Sequence, residues 1–339
     1  MKKPISLSGI KPSGTPHLGN YLGFIKPALE MVQDYQALYF IADYHALTTI
    51  RDGKTLRSLT YEIAATLLAL GLDPDEVVIF RQSDVPELFE LTWILNCFTP
   101  KGLMNRAHAY KAAVDQNTEM ERDPDAGVNM GLYTYPTLMA SDILLYGSEV
   151  VPVGQDQRQH VEITRDIALA FNHTYGDVLV VPEAVIQEDV ASIPGLDGRK
   201  MSKSYDNVIP IFAPPKLLRK KIMQIVTDSS RPEDPKNPDA DNVFNIYKYF
   251  ATPEQVEHTR QRYLHGGLAY SEIKQELFEI LEDKFSSART TYDNFIANPQ
   301  ELDTILLEGA GKARMIGNRL MRKVRKAVGV RYNRELQLP

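Results

Sequence analysis

Two pairs of residues in this chain are of a kind and spacing that handles phosphate. His17 and Asn20 close the string Pro12-Ser13-Gly14-Thr15-Pro16-His17-Leu18-Gly19-Asn20, directly after the apolar run 5–10. Pro12, Gly14 and Pro16 build a turn, and a helix begins near Leu18. Free backbone N–H groups at a helix start attract anions, so His17 and Asn20 can hydrogen-bond phosphate oxygens there. Gly19 removes a side chain where a base or ribose approaches closely. Far along the chain, Lys200 and Lys203 flank Met201 and Ser202 in Lys200-Met201-Ser202-Lys203-Ser204, just after Gly198. Two cations on a loop with small hydroxyl residues can carry charge that grows on departing phosphates. Together the strings imply a nucleoside triphosphate held at both ends.

The two strings, in this order, resemble the paired signatures of class I aminoacyl-tRNA synthetases, the first matching the HIGH element in its tryptophanyl and tyrosyl form. The resemblance implies acyl-adenylate formation, in which a carboxylate attacks the α-phosphate of ATP and pyrophosphate leaves. That chemistry depends on positioning and charge neutralisation more than on a protein nucleophile. Cys97 is therefore not required, and reads as a buried apolar residue beside Trp93, Ile94 and Phe98. Mg²⁺ would bridge phosphate oxygens and keep most of its waters, with no dedicated protein ligands.

These residues need a frame. Short β-branched runs at 5–10, 37–42, 77–80, 150–153 and 178–181 alternate with helical patterns such as 56–70 and 160–171. Near-continuous apolar strands between helices predict an α/β fold, a Rossmann-like doubly wound parallel sheet with ligands beyond the carboxyl ends of its strands. The first signature lies at that edge. Residues 115–129 are polar, carry Asp123-Pro124-Asp125 and show no apolar period, so they read as a mobile insertion. From 214 to 331 the pattern is helical. The expected organisation is a catalytic domain over 1–205 and an all-helical domain over 206–339, the last helix able to pack back on the first domain.

The run Tyr135-Pro136-Thr137-Leu138-Met139-Ala140-Ser141-Asp142-Ile143-Leu144-Leu145-Tyr146 predicts a helix with Met139 and Asp142 on one face. A carboxylate beside a thioether in apolar surroundings suits a flat aromatic ring with one N–H donor; a solvated or capping acid is the alternative. The helix resembles the tryptophan-recognition helix of tryptophanyl-tRNA synthetases. Leu7-Ser8-Gly9-Ile10, Asp43-Tyr44-His45-Ala46, Val151-Pro152-Val153-Gly154-Gln155-Asp156-Gln157, Thr227-Asp228-Ser229 and Asn245-Ile246-Tyr247 resemble further elements of that family, roughly across residues 5 to 330. The resemblance implies a tryptophan pocket of His45, Tyr135, Met139, Asp142, Val153 and Gln157. It also implies an ATP site of Gly9, Lys11, Gly19, Asn20, Gly154, Asp156, Lys200, Met201, Ser202 and Lys203, with His17, Asn20, Lys200 and Lys203 catalytic. Many bacterial members carry glutamine where this chain has Lys11, whose cation could meet the substrate carboxylate, a phosphate or solvent.

The chain has 339 residues, 43% hydrophobic and 24% charged, with net charge -6. No apolar stretch approaches the ~20 residues of a membrane helix, and no signal-peptide pattern follows Lys2 and Lys3, so a soluble cytoplasmic protein is expected. A single cysteine excludes an internal disulfide framework and a cysteine-based zinc site. The acidic balance argues against indiscriminate nucleic-acid binding, yet residues 311–334 hold nine cations and no carboxylate. Ile316, Leu320, Val324 and Ala327 form an apolar stripe along them. Such one-signed segregation favours a polyanion. The resemblance implies tRNA(Trp), with Arg319, Arg322, Lys323 and Lys326 as contacts. It also implies a homodimer; the apolar segment 88–98 could be its interface or part of the core. The alternatives are a tyrosyl-tRNA synthetase, a tRNA-independent nucleotidyltransferase with a HIGH element, and a non-catalytic relative that binds tryptophan and ATP.

Overall fold

The computed structural model describes residues 3–154, 157–186 and 193–330. Strands β1 (Ile5–Ile10), β2 (Gln36–Ile41), β3 (Val78–Arg81), β4 (Val150–Val153) and β5 (Glu183–Ile186) form one sheet in the order β3-β2-β1-β4-β5. Every pairing is parallel, and β1 aligns with β2 from Ile5 opposite Gln36 to Ile10 opposite Ile41. Between the strands run α1 (Leu18–Asn20), α2 (Lys26–Met31), α3 (Asp43–Ala46), α4 (Gly53–Ala69), α5 (Glu87–Asn96), α6 (Lys101–Asn105), α7 (His108–Glu119), α8 (Met130–Leu145) and α9 (Arg158–Tyr175). After β5 come α10 (Pro215–Met223), α11 (Asn242–Tyr247), α12 (Pro253–His265), α13 (Tyr270–Ala297) and α14 (Pro299–Ala327).

Successive strand residues point to opposite faces, so a strand covered on both sides is apolar throughout. In β2, Ala37, Tyr39 and Ile41 join one buried cluster with α4, whereas Leu38 and Phe40 join a second with α5, α8 and α9. The first cluster continues into α10–α13 through Leu218, Val243, Tyr263, Leu277 and Phe285. The helical segment thus shares its core with one face of the sheet.

β3 is an edge strand, whose free backbone groups need cover. The last helix supplies it. Leu302 and Leu306 of α14 enter the first cluster, and Ala310, Ala313, Met321 and Val324 enter the second. The crossing point is Gly309, where a Cβ would lie 1.8 Å from the Ile79 carbonyl oxygen. Small residues set this approach, which corrects the expected stripe. The buried face is Ala310, Ala313, Gly317, Met321 and Val324, with Ile316 and Leu320 half-buried beside it.

Three further expectations change. Residues 178–181 are not a strand: the Asn172 amide donates to the Leu179 carbonyl, and its oxygen accepts from Val178 and Leu179 N–H. Pro182 has no N–H to offer, and pairing begins at Glu183. The stretch 115–129 has structure of its own. α7 runs to Glu119, and the Asn117 amide donates to the Pro124 and Ala126 carbonyls, closing the turn that follows. Cys97 is exposed, because α5 buries Leu88, Leu91 and Leu95 and Cys97 follows its last turn on the other side. Among the described residues no helix is long and apolar enough to cross a membrane.

Candidate active site

In a doubly wound sheet the ligand crevice opens where neighbouring strands send their connections to opposite faces. That point lies between β1 and β4. A cavity of about 530 Å³ is lined there by Gly9 and Lys11 at the end of β1 and by Val153 and Gly154 at the end of β4. His45 of α3, Tyr135, Met139 and Asp142 of α8, and Gln157 before α9 complete it. All six residues expected around an amino acid therefore share one wall system. Phe24, Phe40, Thr48 and Leu132 also line it, and sequence reasoning did not name them. A Cβ at Gly9 would lie 2.4 Å from the Phe40 ring, so glycine there first serves packing.

Asp142 is the buried charge of the cavity, 2% exposed. Burial pushes its carboxyl above the ordinary range, against hydrogen bonds from His45 and Gln82 that pull it down. His45 Nε2 lies 2.8 Å from Oδ2, and Gln82 Nε2 donates to Oδ1 at 2.8 Å and to Oδ2 at 3.0 Å. Gln82 was missed by sequence reasoning; its only signal was its place directly after a strand, at the carboxyl edge. The Tyr135 hydroxyl pairs with His160 Nε2 at 2.7 Å, and burial holds its pKa up at about 12. The Lys11 ammonium donates to Thr48 Oγ1 at 3.0 Å, and burial lowers its pKa.

Backbone hydrogen bonds tie the first signature to the segment that follows the second. Leu18 N–H donates to the Ile209 carbonyl, and Ile211 N–H donates to that of Pro16. His17 caps α1, and its N–H donates to Asn20 Oδ1 at 3.1 Å. A π-turn over Tyr21–Ile25 follows. His17 is buried, and its Nδ1 has no hydrogen-bond partner. Desolvation, then the nearby Lys203 charge, pushes its pKa down to about 4, so the ring is neutral at pH 7. Lys203 Nζ donates to the Gly14 carbonyl at 2.6 Å. Gly14 has φ +141°, and a Cβ there would lie 2.8 Å from Lys203 Cδ, so both backbone and contact demand glycine. Met201 is buried near Gly19, and Ser202 N–H donates to Asn207 Oδ1 at 2.8 Å. Lys200 is exposed on the same loop; Asp156 lies outside the described residues. An unpartnered buried imidazole nitrogen beside a half-buried ammonium fits an anionic ligand such as a triphosphate.

The family model described as tRNA synthetases class I (W and Y) matches residues 1–286. The tryptophan–tRNA ligase of Pseudomonas aeruginosa is 53% identical over 334 residues, covering 97% of this chain and 74% of that one. This chain belongs to the tryptophanyl-tRNA synthetases of class I. The tryptophan–tRNA ligase of Bordetella parapertussis is 50% identical, covering 96% and 72% of the two chains. The crystal structure of Campylobacter jejuni tryptophanyl-tRNA synthetase complexed with ADP and tryptophan has a TM-score of 0.88 at 44% identity, covering 96% of this chain and 99% of that one. The likeness to that structure extends to the fold, which in this chain is a five-stranded parallel sheet with helices between and after its strands.

Proposed function

We propose that this family member activates L-tryptophan with ATP, releasing pyrophosphate, and transfers tryptophan from the adenylate to the 3′ end of tRNA(Trp). The observation that carries this reading is Asp142, a carboxylate on the cavity wall within an otherwise apolar stretch of α8. It accepts the indole N–H, while His45, Tyr135, Met139, Val153 and Gln157 enclose the amino acid. Gly9, Lys11, Gly19, Gly154, Asp156, Met201 and Ser202 surround the nucleotide. Neutral His17 and Asn20 hydrogen-bond phosphate oxygens, and Lys200 and Lys203 face the charge that grows on the leaving pyrophosphate. Mg²⁺ would accompany ATP and supply positive charge against its phosphates, without a dedicated set of protein ligands. An ATP–pyrophosphate exchange panel with all twenty amino acids tests the reading. Tryptophan alone should support fast exchange, and better exchange with tyrosine or phenylalanine would overturn it.

We also place tRNA on α14, in the domain we take to begin at 206. Two of its cations are already engaged, Arg314 by Glu87 and Arg325 by Glu90. Arg319, Arg322, Lys323 and Lys326 are exposed and offer a polyanion a one-signed surface. Backbone contacts give affinity that falls with salt, by roughly 0.7 to 0.9 log units per log unit of salt for each phosphate neutralised. Changing Arg322, Lys323 and Lys326 to glutamine should flatten that slope by about two to three units, with exchange near wild type. Equal losses in both assays would mean that these side chains support the fold instead.

The same reading includes a cytoplasmic homodimer. α5 exposes Trp93 at 73% and Phe89 at 40%, and large apolar surface of this kind marks contact sites. Phe98 packs on Phe171 and Tyr175 and belongs to the core. Trp93→Glu should therefore yield a folded monomer by sedimentation at micromolar concentration, where wild type is a dimer. A variant that still sediments as a dimer places the interface elsewhere.

A further inference from the structure

Gln82 does not line the cavity, yet it decides how Asp142 meets it. Its amide cannot be turned the other way. The His45 backbone N–H can only donate, and it reaches Gln82 Oε1 at 3.4 Å; the Asp142 carboxylate can only accept, and it takes Gln82 Nε2 at 2.8 and 3.0 Å. His45 closes the loop through Nε2 on Asp142 Oδ2 at 2.8 Å. The three residues form one ring of hydrogen bonds, closed through the His45 backbone N–H, and Gln82 is 1% exposed within it.

A second anchor holds the ring. Asp43 Oδ1 accepts from Ser83 N–H at 3.1 Å and from Tyr44 N–H at 3.0 Å, and the Ser83 hydroxyl donates to Oδ2. The turn after β3, which carries Gln82, is thereby fixed to α3, which carries His45. A carboxylate has about four lone-pair sites. His45 and Gln82 make three contacts with that of Asp142, which leaves about one site for a ligand in the cavity that Asp142 lines. These donors also favour the ionised form, which can only accept.

We propose that Gln82 is a specificity-determining positioning residue: it holds Asp142 as a fixed acceptor, so that the site demands an N–H donor on the substrate ring. This rests on the tryptophan reading above. A site built to accept a hydrogen bond discriminates by far more than one that merely fits a shape, provided the acceptor cannot rotate or gain a proton.

The test compares tryptophan with 3-(3-benzothienyl)alanine, which replaces the indole N–H by sulfur at nearly the same shape, in ATP–pyrophosphate exchange. Wild type should prefer tryptophan strongly in kcat/KM. Gln82→Met keeps length and removes the donor; it should lower that preference at least tenfold, through tryptophan KM, with ATP KM unchanged. Gln82→Glu keeps the shape and covers the case in which the methionine variant does not fold. At pH 7.5 it sets a second carboxyl group against Asp142; the buried pair shares a proton, so Asp142 is no longer a fixed acceptor and the preference should erode likewise. Equal losses for both substrates, with the preference intact, would make Gln82 a packing residue and overturn the proposal. A wild type without preference for tryptophan would instead refute the tryptophan reading.

Discussion

Lys203→Ala will lower the rate of adenylate formation by ~10²–10³ while leaving tryptophan binding nearly unchanged. Lys203 is half-buried, and burial lowers its pKa, so its charge is incompletely solvated before reaction. Its ammonium rests on the Gly14 carbonyl, a neutral partner. A phosphate carrying growing negative charge is a much stronger one. The gain is therefore largest when pyrophosphate departs, which raises kcat more than it lowers KM. Removing the side chain also removes its packing against Gly14. Lys203→Met separates the two effects, since it retains the apolar stem. If charge is the cause, both variants lose the same factor in rapid-quench measurements of adenylate. A methionine variant at wild-type rate would show that Lys203 only shapes the turn.

Much of this arrangement was legible in the sequence, and physical reasons separate the part that was from the part that was not. Strand β2 is buried on both faces from Ala37 to Ile41, so its composition alone marks it; β1 and β4 are only partly buried but apolar enough to be read. The first signature carries the glycines and prolines of a turn and the second carries two spaced cations, and the structure brings Lys203 onto Gly14. The six expected cavity residues share one wall because α8, β4 and the end of β2 converge on the switch point. Hidden features depend on contacts distant in sequence. Gln82 meets Asp142 sixty positions away and His45 thirty-seven positions away. Gly309 matters only because α14 crosses Ile79. Residues 178–181 are apolar enough for a strand, but the Asn172 side chain takes the N–H groups of Val178 and Leu179. Polar α7 has too little apolar face to show a period, although it is a helix.

Asp142→Asn should raise the tryptophan KM by roughly 10- to 100-fold, because a hydrogen bond to a charged group contributes about 1.5–3 kcal/mol and each 1.36 kcal/mol is tenfold. ATP KM should change little. Asp142→Ala should cost more, since it also leaves the His45 and Gln82 donors without an acceptor in a buried place. The pH dependence supplies a sign. Burial raises the Asp142 carboxyl, so this group gains its proton at a higher pH than an ordinary aspartate. As pH falls through that raised value the acceptor is lost, and the wild-type tryptophan KM should climb. His45 faces Asp142 from α3, and Tyr146 follows it at the end of α8. Tyr146 is held well above its ordinary value and stays neutral throughout. His45 persists in the asparagine variant, whose amide does not titrate. A wild-type KM that climbs in acid while the variant's stays flat therefore assigns the titration to Asp142. Parallel climbs would move it to another group and remove the aspartate from the recognition of the indole N–H.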